Sequence, residues 1–113
     1  MAKDVAHLKD RVLNLLRFDS NELKPLKSKR IQYHFGMNDA EVRETVRLLR
    51  LDCHPIASGS KGFFYATKAN ELVDSIKHLK SRVSAIIDVI KKLEDAQERL
   101  LDDNGQKLLD FKK

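Results

Sequence analysis

Apolar side chains recur every three or four residues at the start of the chain, at Val5, Leu8, Val12, Leu15 and Leu16. That spacing predicts an amphipathic helix over residues 4–17. Asp19, Ser20 and Asn21 carry turn chemistry, and Pro25 is tolerated only near a helix start. A second, short helix is expected from Leu26 to Phe35, with Ile31 and Phe35 facing inward and Gly36 ending it. Asn38 followed three residues later by Glu41 forms a capping box, so a third helix begins there. Val42, Val46 and Leu49 make its inner stripe, and it is expected to finish near Arg50 or Leu51. Pro55 then forbids helix. Ile56-Ala57 and Gly62–Thr67 flank the polar group Ser58-Gly59-Ser60-Lys61, which predicts a short β-hairpin. From Lys68 the period returns to helical. Leu72, Ile76, Leu79, Val83, Ile86, Ile90, Leu93, Gln97 and Leu100 are separated alternately by four and three residues, a heptad stripe that Asp102-Asp103-Asn104-Gly105 closes. Three segments follow from this pattern: a domain over 1–67, a long helix over 68–104, and a short tail at 105–113 that is expected to fray.

Composition narrows the class of molecule. With 113 residues, four glycines, two prolines and one cysteine, the chain is neither collagen-like, low-complexity nor a disulfide scaffold. The longest apolar run, Phe63–Ala66, is far short of the ~20 residues that cross a bilayer, so no membrane partner is expected. Lys3, Asp4, Lys9, Asp10 and Arg11 interrupt the stretch where a signal peptide needs apolar residues. A lone Cys53 fits a reducing compartment, and a cytoplasmic location is expected. The net charge of +5 is unevenly placed. Residues 24–61 carry 8 Lys and Arg against 4 Asp and Glu, whereas residues 68–113 carry 10 against 9. The excess cation lies in the first domain, and it points to a polyanion partner.

Three helices, a hairpin and a further helix is the element order of a winged helix-turn-helix. The stretch from Gly36 through Asn38, Glu41, Arg43 and Arg47 to Arg50 resembles the turn and recognition helix of the biotin repressor N-terminal domain. Ser60-Lys61-Gly62-Phe63 resembles the wing tip of that group. Small winged-helix proteins of phages and prophages are closer still, with a Pro-Ile strand, a Ser-Lys-Gly-aromatic wing and an Ala-Thr entry to a long helix. One departure is that Leu51-Asp52-Cys53-His54 contains no glycine after the third helix. The resemblance implies a mainly α fold with a small β-hairpin, a winged helix-turn-helix followed by a long coiled-coil-like helix. It also implies a sequence-specific binder of double-stranded DNA, a phage-type regulator of transcription or replication acting in the host cytoplasm.

In such folds the recognition helix enters the major groove while the preceding helix and the wing touch phosphates. The exposed positions of the third helix are Asp39, Ala40, Arg43, Glu44 and Arg47, the candidate base readers. Arg43 and Arg47 share a face, and each suits guanine O6 and N7. Ser28, Lys29, Arg30, Ser60 and Lys61 are the candidate phosphate contacts. Ordinary solvated charge is the competing reading. Asp39, Glu41 and Glu44 put negative charge on or beside the same helix, which favours an alternative function: an interaction module that binds a host or replication protein and touches no DNA.

His34, Cys53 and His54 lack the spacing of a zinc site, so no metal and no cofactor is expected. Phe63 and Tyr65 alternate onto one sheet face and are read as core rather than as a platform for single strands. No phosphate loop or nucleophile arrangement is present, and an enzyme is not expected. With Leu72, Leu79, Ile86, Leu93 and Leu100 at d and Ile76, Val83, Ile90 and Gln97 at a, the long helix suits a parallel two-stranded coil. A homodimer is expected through Leu79, Val83, Ile86, Ile90, Leu93 and Leu100. Val73, Ile87, Val89 and Leu101 lie outside that stripe and leave folding-back, antiparallel pairing or larger assembly open.

Overall fold

The computed structural model describes residues 5–104. Helix α1 spans Val5–Asp19 and turns Leu8, Val12 and Leu16 inward, the spacing of four producing a single buried stripe. Ser20 ends it. The Ser20 hydroxyl donates to the Leu16 carbonyl at 2.6 Å and accepts the Tyr65 amide at 3.0 Å, which joins the end of α1 to the hairpin.

Helix α2 is Ser28–Phe35, two residues shorter at its start than the pattern predicts. Leu26 is diverted because its amide donates to the Phe63 carbonyl at 2.7 Å and its carbonyl accepts the Phe63 amide at 2.8 Å. A residue paired across a strand has no backbone left for a helix turn. Gly36 closes α2 with φ 64°, as expected for a glycine cap. Helix α3 is Asp39–Leu51, opened by the reciprocal bonds of the capping box: Glu41 amide to Asn38 Oδ1 and Asn38 amide to Glu41 Oε1, both 2.8 Å. Cys53 takes the left-handed conformation, φ 70°, that a glycine would supply after α3.

Strand β1 is Ile56–Gly59 and strand β2 is Gly62–Tyr65, antiparallel, with Ile56 opposite Tyr65 and Gly59 opposite Gly62. The turn is therefore Ser60-Lys61 alone, not the four-residue loop read from the sequence. Ser58 and Gly59 belong to the strand. Ala66 and Thr67 do not, because the Ala66 amide turns back to the Pro55 carbonyl and the Thr67 amide to Glu71 Oε1, each at 2.9 Å. A 3₁₀ turn, Ala69–Leu72, leads into helix α4, Val73–Asn104.

The chain thus has a mainly helical fold with a small antiparallel hairpin and a long C-terminal helix. It divides into two compact units after Ile76. The core of the first lies where α1, α2, α3 and the hairpin meet. Val12, Leu16, Ile31, Val42, Leu49 and Ile56 are at most 2 % exposed, and Phe35, Phe63 and Tyr65 pack against them. Burying each such aliphatic side chain stabilises by about 1.5–3 kcal/mol. Thr45 and Met37 join this interior although the apolar pattern of α3 does not mark them. Thr45 is admitted because its hydroxyl donates to the Glu41 carbonyl one turn back, at 2.7 Å. The second unit begins at Lys77. The tail read at 105–113 lies outside the described residues.

Candidate functional site

The pairing of Leu26 with Phe63 sets the start of α2 beside the hairpin turn. A groove results, lined by Lys27 at the N-cap of α2, Ser28 from α2, Asp39 and Arg43 from α3, and Ser60 and Lys61 from the turn. Gly62 forms part of the wall, and a side chain there would collide with the Leu26 backbone. The two helix starts are tied to each other. Ser28 Oγ donates to Asp39 Oδ1 at 2.6 Å and accepts from Gln32 Nε2 at 3.0 Å. Asp39 Oδ2 in turn pairs with Arg43 Nε at 2.9 Å.

Of the candidate base readers, Asp39 and Arg43 line this groove, whereas Ala40, Glu44 and Arg47 stand along α3 outside it. Arg47 is held by its own helix. Its Nε and Nη2 reach the two oxygens of Glu44 at 2.8 and 2.7 Å, a bidentate pair that pulls the Glu44 carboxyl below its ordinary value and lifts the guanidinium. Of the candidate phosphate contacts, Ser28, Ser60 and Lys61 come together, while Lys29 and Arg30 lie exposed on α2 beyond the groove. The Ser28 hydroxyl hydrogen is already committed to Asp39. Lys27, which the sequence reading passed over, brings a cation to the groove, and no periodic signal marks it.

Two polar anchors also went unread. Arg50 is half-buried, its Nε on the Ile56 carbonyl at 2.8 Å and its Nη2 on Ser58 Oγ at 3.1 Å, and burial pushes the guanidinium below its ordinary value. Ser75, only 6 % exposed, accepts the Ser58 amide at 2.9 Å and donates to the Ser58 carbonyl at 3.1 Å. Both hold β1 in place, and so hold the turn that carries Lys61.

His34 is exposed, edge-on to Phe35 with ring centres 4.7 Å apart. Among the described residues no three His, Cys, Asp or Glu side chains gather as a metal site would require. Phe63 and Tyr65 cover the core, and the Arg17 guanidinium lies 5.3 Å over the Tyr65 ring. Among the described residues no helix is long and apolar enough to cross a membrane.

On α4, Leu79, Val83, Ile86, Ile90, Leu93 and Leu100 are between 40 and 65 % exposed. No protein-family model, curated protein or solved structure matches the chain.

Proposed function

We propose that the first unit binds double-stranded DNA as a winged helix-turn-helix, α3 lying in the major groove and the Ser60-Lys61 turn on the phosphate backbone. One observation carries the reading: Lys27 just before α2, Arg43 from α3 and Lys61 from the hairpin turn converge on one concave face. Cations drawn from three separate segments onto one face fit a polyanion better than scattered solvated charge does. Arg43 and Arg47 read bases after exchanging their carboxylate partners for guanine edges. Lys61 at the groove, and Lys29 and Arg30 exposed on α2 beyond it, track phosphate. By its resemblance the protein is a phage-type regulator of transcription or replication, working in the cytoplasm without cofactor or catalysis. Its α4 stripe pairs two copies, so that two recognition helices address a two-fold operator.

The test is a salt titration on duplex DNA with the full chain. Affinity for random sequence is expected to fall steeply with salt, and Lys61→Ala to weaken all sequences alike and lower the salt slope by about 1. Arg43→Ala and Arg47→Ala are expected to relax base preference at about 1–3 kcal/mol each. Arginine variants that bind every probe as the parent does would remove α3 as the reader.

A second reading has its own support. Both arginines are neutralised by carboxylates on their own helix, Asp39 and Glu44, which phosphates repel. The face then docks a host or replication protein and not DNA. Binding to random duplex that is absent even at low salt would favour this reading.

A further inference from the structure

From the pattern of charges beside the α4 stripe we infer that two copies of α4 pair antiparallel, in one register that crosses the two-fold axis at the level of residue 88 of each chain. The inference rests on the reading of α4 as a self-associating helix and adds its orientation. Its starting point is that the apolar stripe of the second unit lies open along the helix, with Ile87 at 44 % and Val89 at 59 % exposure outside the strict a and d positions.

The residues flanking a coiled-coil seam distinguish the possible orientations. With Leu79, Ile86, Leu93 and Leu100 at d, the e positions are Val73, Lys80, Ile87, Glu94 and Leu101, and the g positions are Ser75, Arg82, Val89 and Ala96. In a parallel pair each g residue meets the e residue five places on in the partner. Arg82 then faces Ile87, Val89 faces Glu94, and Ser75 faces Lys80. Every charge meets a residue that offers it no counter-charge.

In an antiparallel pair e flanks e and g flanks g, and a residues layer against d residues. One register layers Leu79 on Gln97, Val83 on Leu93 and Ile86 on Ile90, and repeats the same layers by symmetry. That register sets Lys80 against Glu94 twice along the e flank, once on each side of the axis. It also brings Ile87 onto Ile87 and Val89 onto Val89 next to the axis. Opposite charges meet on the e flank and apolar residues meet beside the axis, while on the g flank Arg82 meets the small Ala96. Shifting the register by one heptad either way places Ile87 against Lys80 or against Glu94, so the match belongs to this register alone. Ile87 and Val89, two of the apolar residues outside the strict stripe, thereby acquire a role, since they widen the contact at its centre. Gln97 meets Leu79 near each end of the seam, where its amide reaches water.

Disulfide trapping in the full chain tests the orientation. Cys53→Gly removes the native thiol, and glycine suits the left-handed backbone there, φ 70°. On that background Leu79→Cys and Gln97→Cys proteins are prepared, mixed and oxidised with glutathione disulfide. The antiparallel register predicts a mixed disulfide between the two proteins. Neither should cross-link alone, because the two copies of residue 79 then lie about 27 Å apart at 1.5 Å per residue. Cross-linking of each protein with itself, and no mixed product, overturns the orientation while leaving self-association standing. Light scattering of the Cys53→Gly protein separates the two levels: about 26 kDa is expected from a 13.0 kDa chain, and 13 kDa overturns self-association itself. A mass near four chains overturns the two-stranded pair.

Charge exchange supplies an independent arm. Lys80→Glu is expected to weaken the dimer about tenfold, because it creates two like-charge contacts, and Lys80→Glu with Glu94→Lys to restore it to within about twofold. A double variant no stronger than the single one overturns the register.

Discussion

Gly62 stands with φ 132°, and a β-carbon built there would lie 2.3 Å from the Leu26 carbonyl oxygen and 2.6 Å from its carbon. Both obstacles are backbone, which the Leu26–Phe63 pairing holds in place. Gly62→Ala is therefore expected to destabilise the first unit by about 2–4 kcal/mol in a urea titration, combining strain at positive φ with displacement of the paired strand. Gly59, its partner across the turn, has nothing within 4 Å of a built β-carbon, and Gly59→Ala is expected to stay within about 1 kcal/mol of the parent. Both glycines stand in the same wing-like stretch, and only three-dimensional contact separates their roles. A pH-dependent contribution comes from Lys9 and Asp52, 2.7 Å apart between α1 and the end of α3. The hydrogen bond from Lys9, and then its charge, hold the Asp52 carboxyl below its ordinary value, and the same contact raises Lys9. A carboxyl lowered by folding adds stability that is present above its unfolded value, 3.8, and lost as pH falls through the folded value. A lysine raised by folding adds stability below its unfolded value, 10.5, that is lost as pH rises through the folded value. Asp52→Asn should thus melt slightly below the parent at pH 7, with the gap closing in acid once the parent's Asp52 carboxyl is protonated and, like asparagine, neutral. A gap that persists in acid would assign the effect to the helix end, where Asp52 is also the last cap of α3.

β1 is held on three sides: by β2, by Arg50 from α3 and by Ser75 from the first turn of α4. Ser75 satisfies both backbone groups of Ser58, and truncating it leaves a donor and an acceptor without partners in a nearly closed space. Ser75→Ala is expected to destabilise by about 1–3 kcal/mol in a denaturant titration, and to weaken protection of the Ser58 amide in hydrogen exchange. The strand boundaries show why elements of this size are hard to read. Ser58 and Gly59 look like loop by composition, yet they enter the strand because Ser75 and β2 supply their hydrogen bonds. Leu26 looks like the first residue of α2, yet Phe63 takes its backbone. The third helix was legible almost to the residue, since its capping box and apolar stripe are local signals that need no distant partner.

Among the described residues the contiguous apolar cluster belongs to the first unit, whereas in the second Leu101 is buried and the stripe of α4 lies open. Val46 is 3 % exposed in that interior, so Val46→Asp is expected to abolish the cooperative melting of the first unit, an unpaired buried carboxylate costing several kcal/mol against a marginal total. Ile86→Asp, by contrast, should leave that transition in place and lower the mass in light scattering from about 26 kDa to the single-chain 13.0 kDa. An unchanged mass for Ile86→Asp would show that the stripe does not pair two chains.

Helix order, the inward faces of α1 and α3, the hairpin and the heptad stripe were all written in local periodicity, because helices and strands bury one face at a fixed repeat. Candidate side chains were legible as types: Asp39 and Arg43 from the exposed face of α3, and Ser28, Ser60 and Lys61 as hydroxyls and cations near a helix start or the hairpin tip. What the pattern could not contain was partnership. Ser28 bonded to Asp39, Arg47 locked on Glu44, Arg50 and Ser75 anchoring β1, and Leu26 paired with Phe63 are contacts between polar groups or backbone atoms. Polar groups follow no period, and pairs such as Ser58–Ser75 and Leu26–Phe63 are far apart in sequence. Hydrogen-bond geometry tolerates only a few tenths of an ångström, so folding in three dimensions selects these partners where apolar burial, which needs no direction, is already visible along the chain.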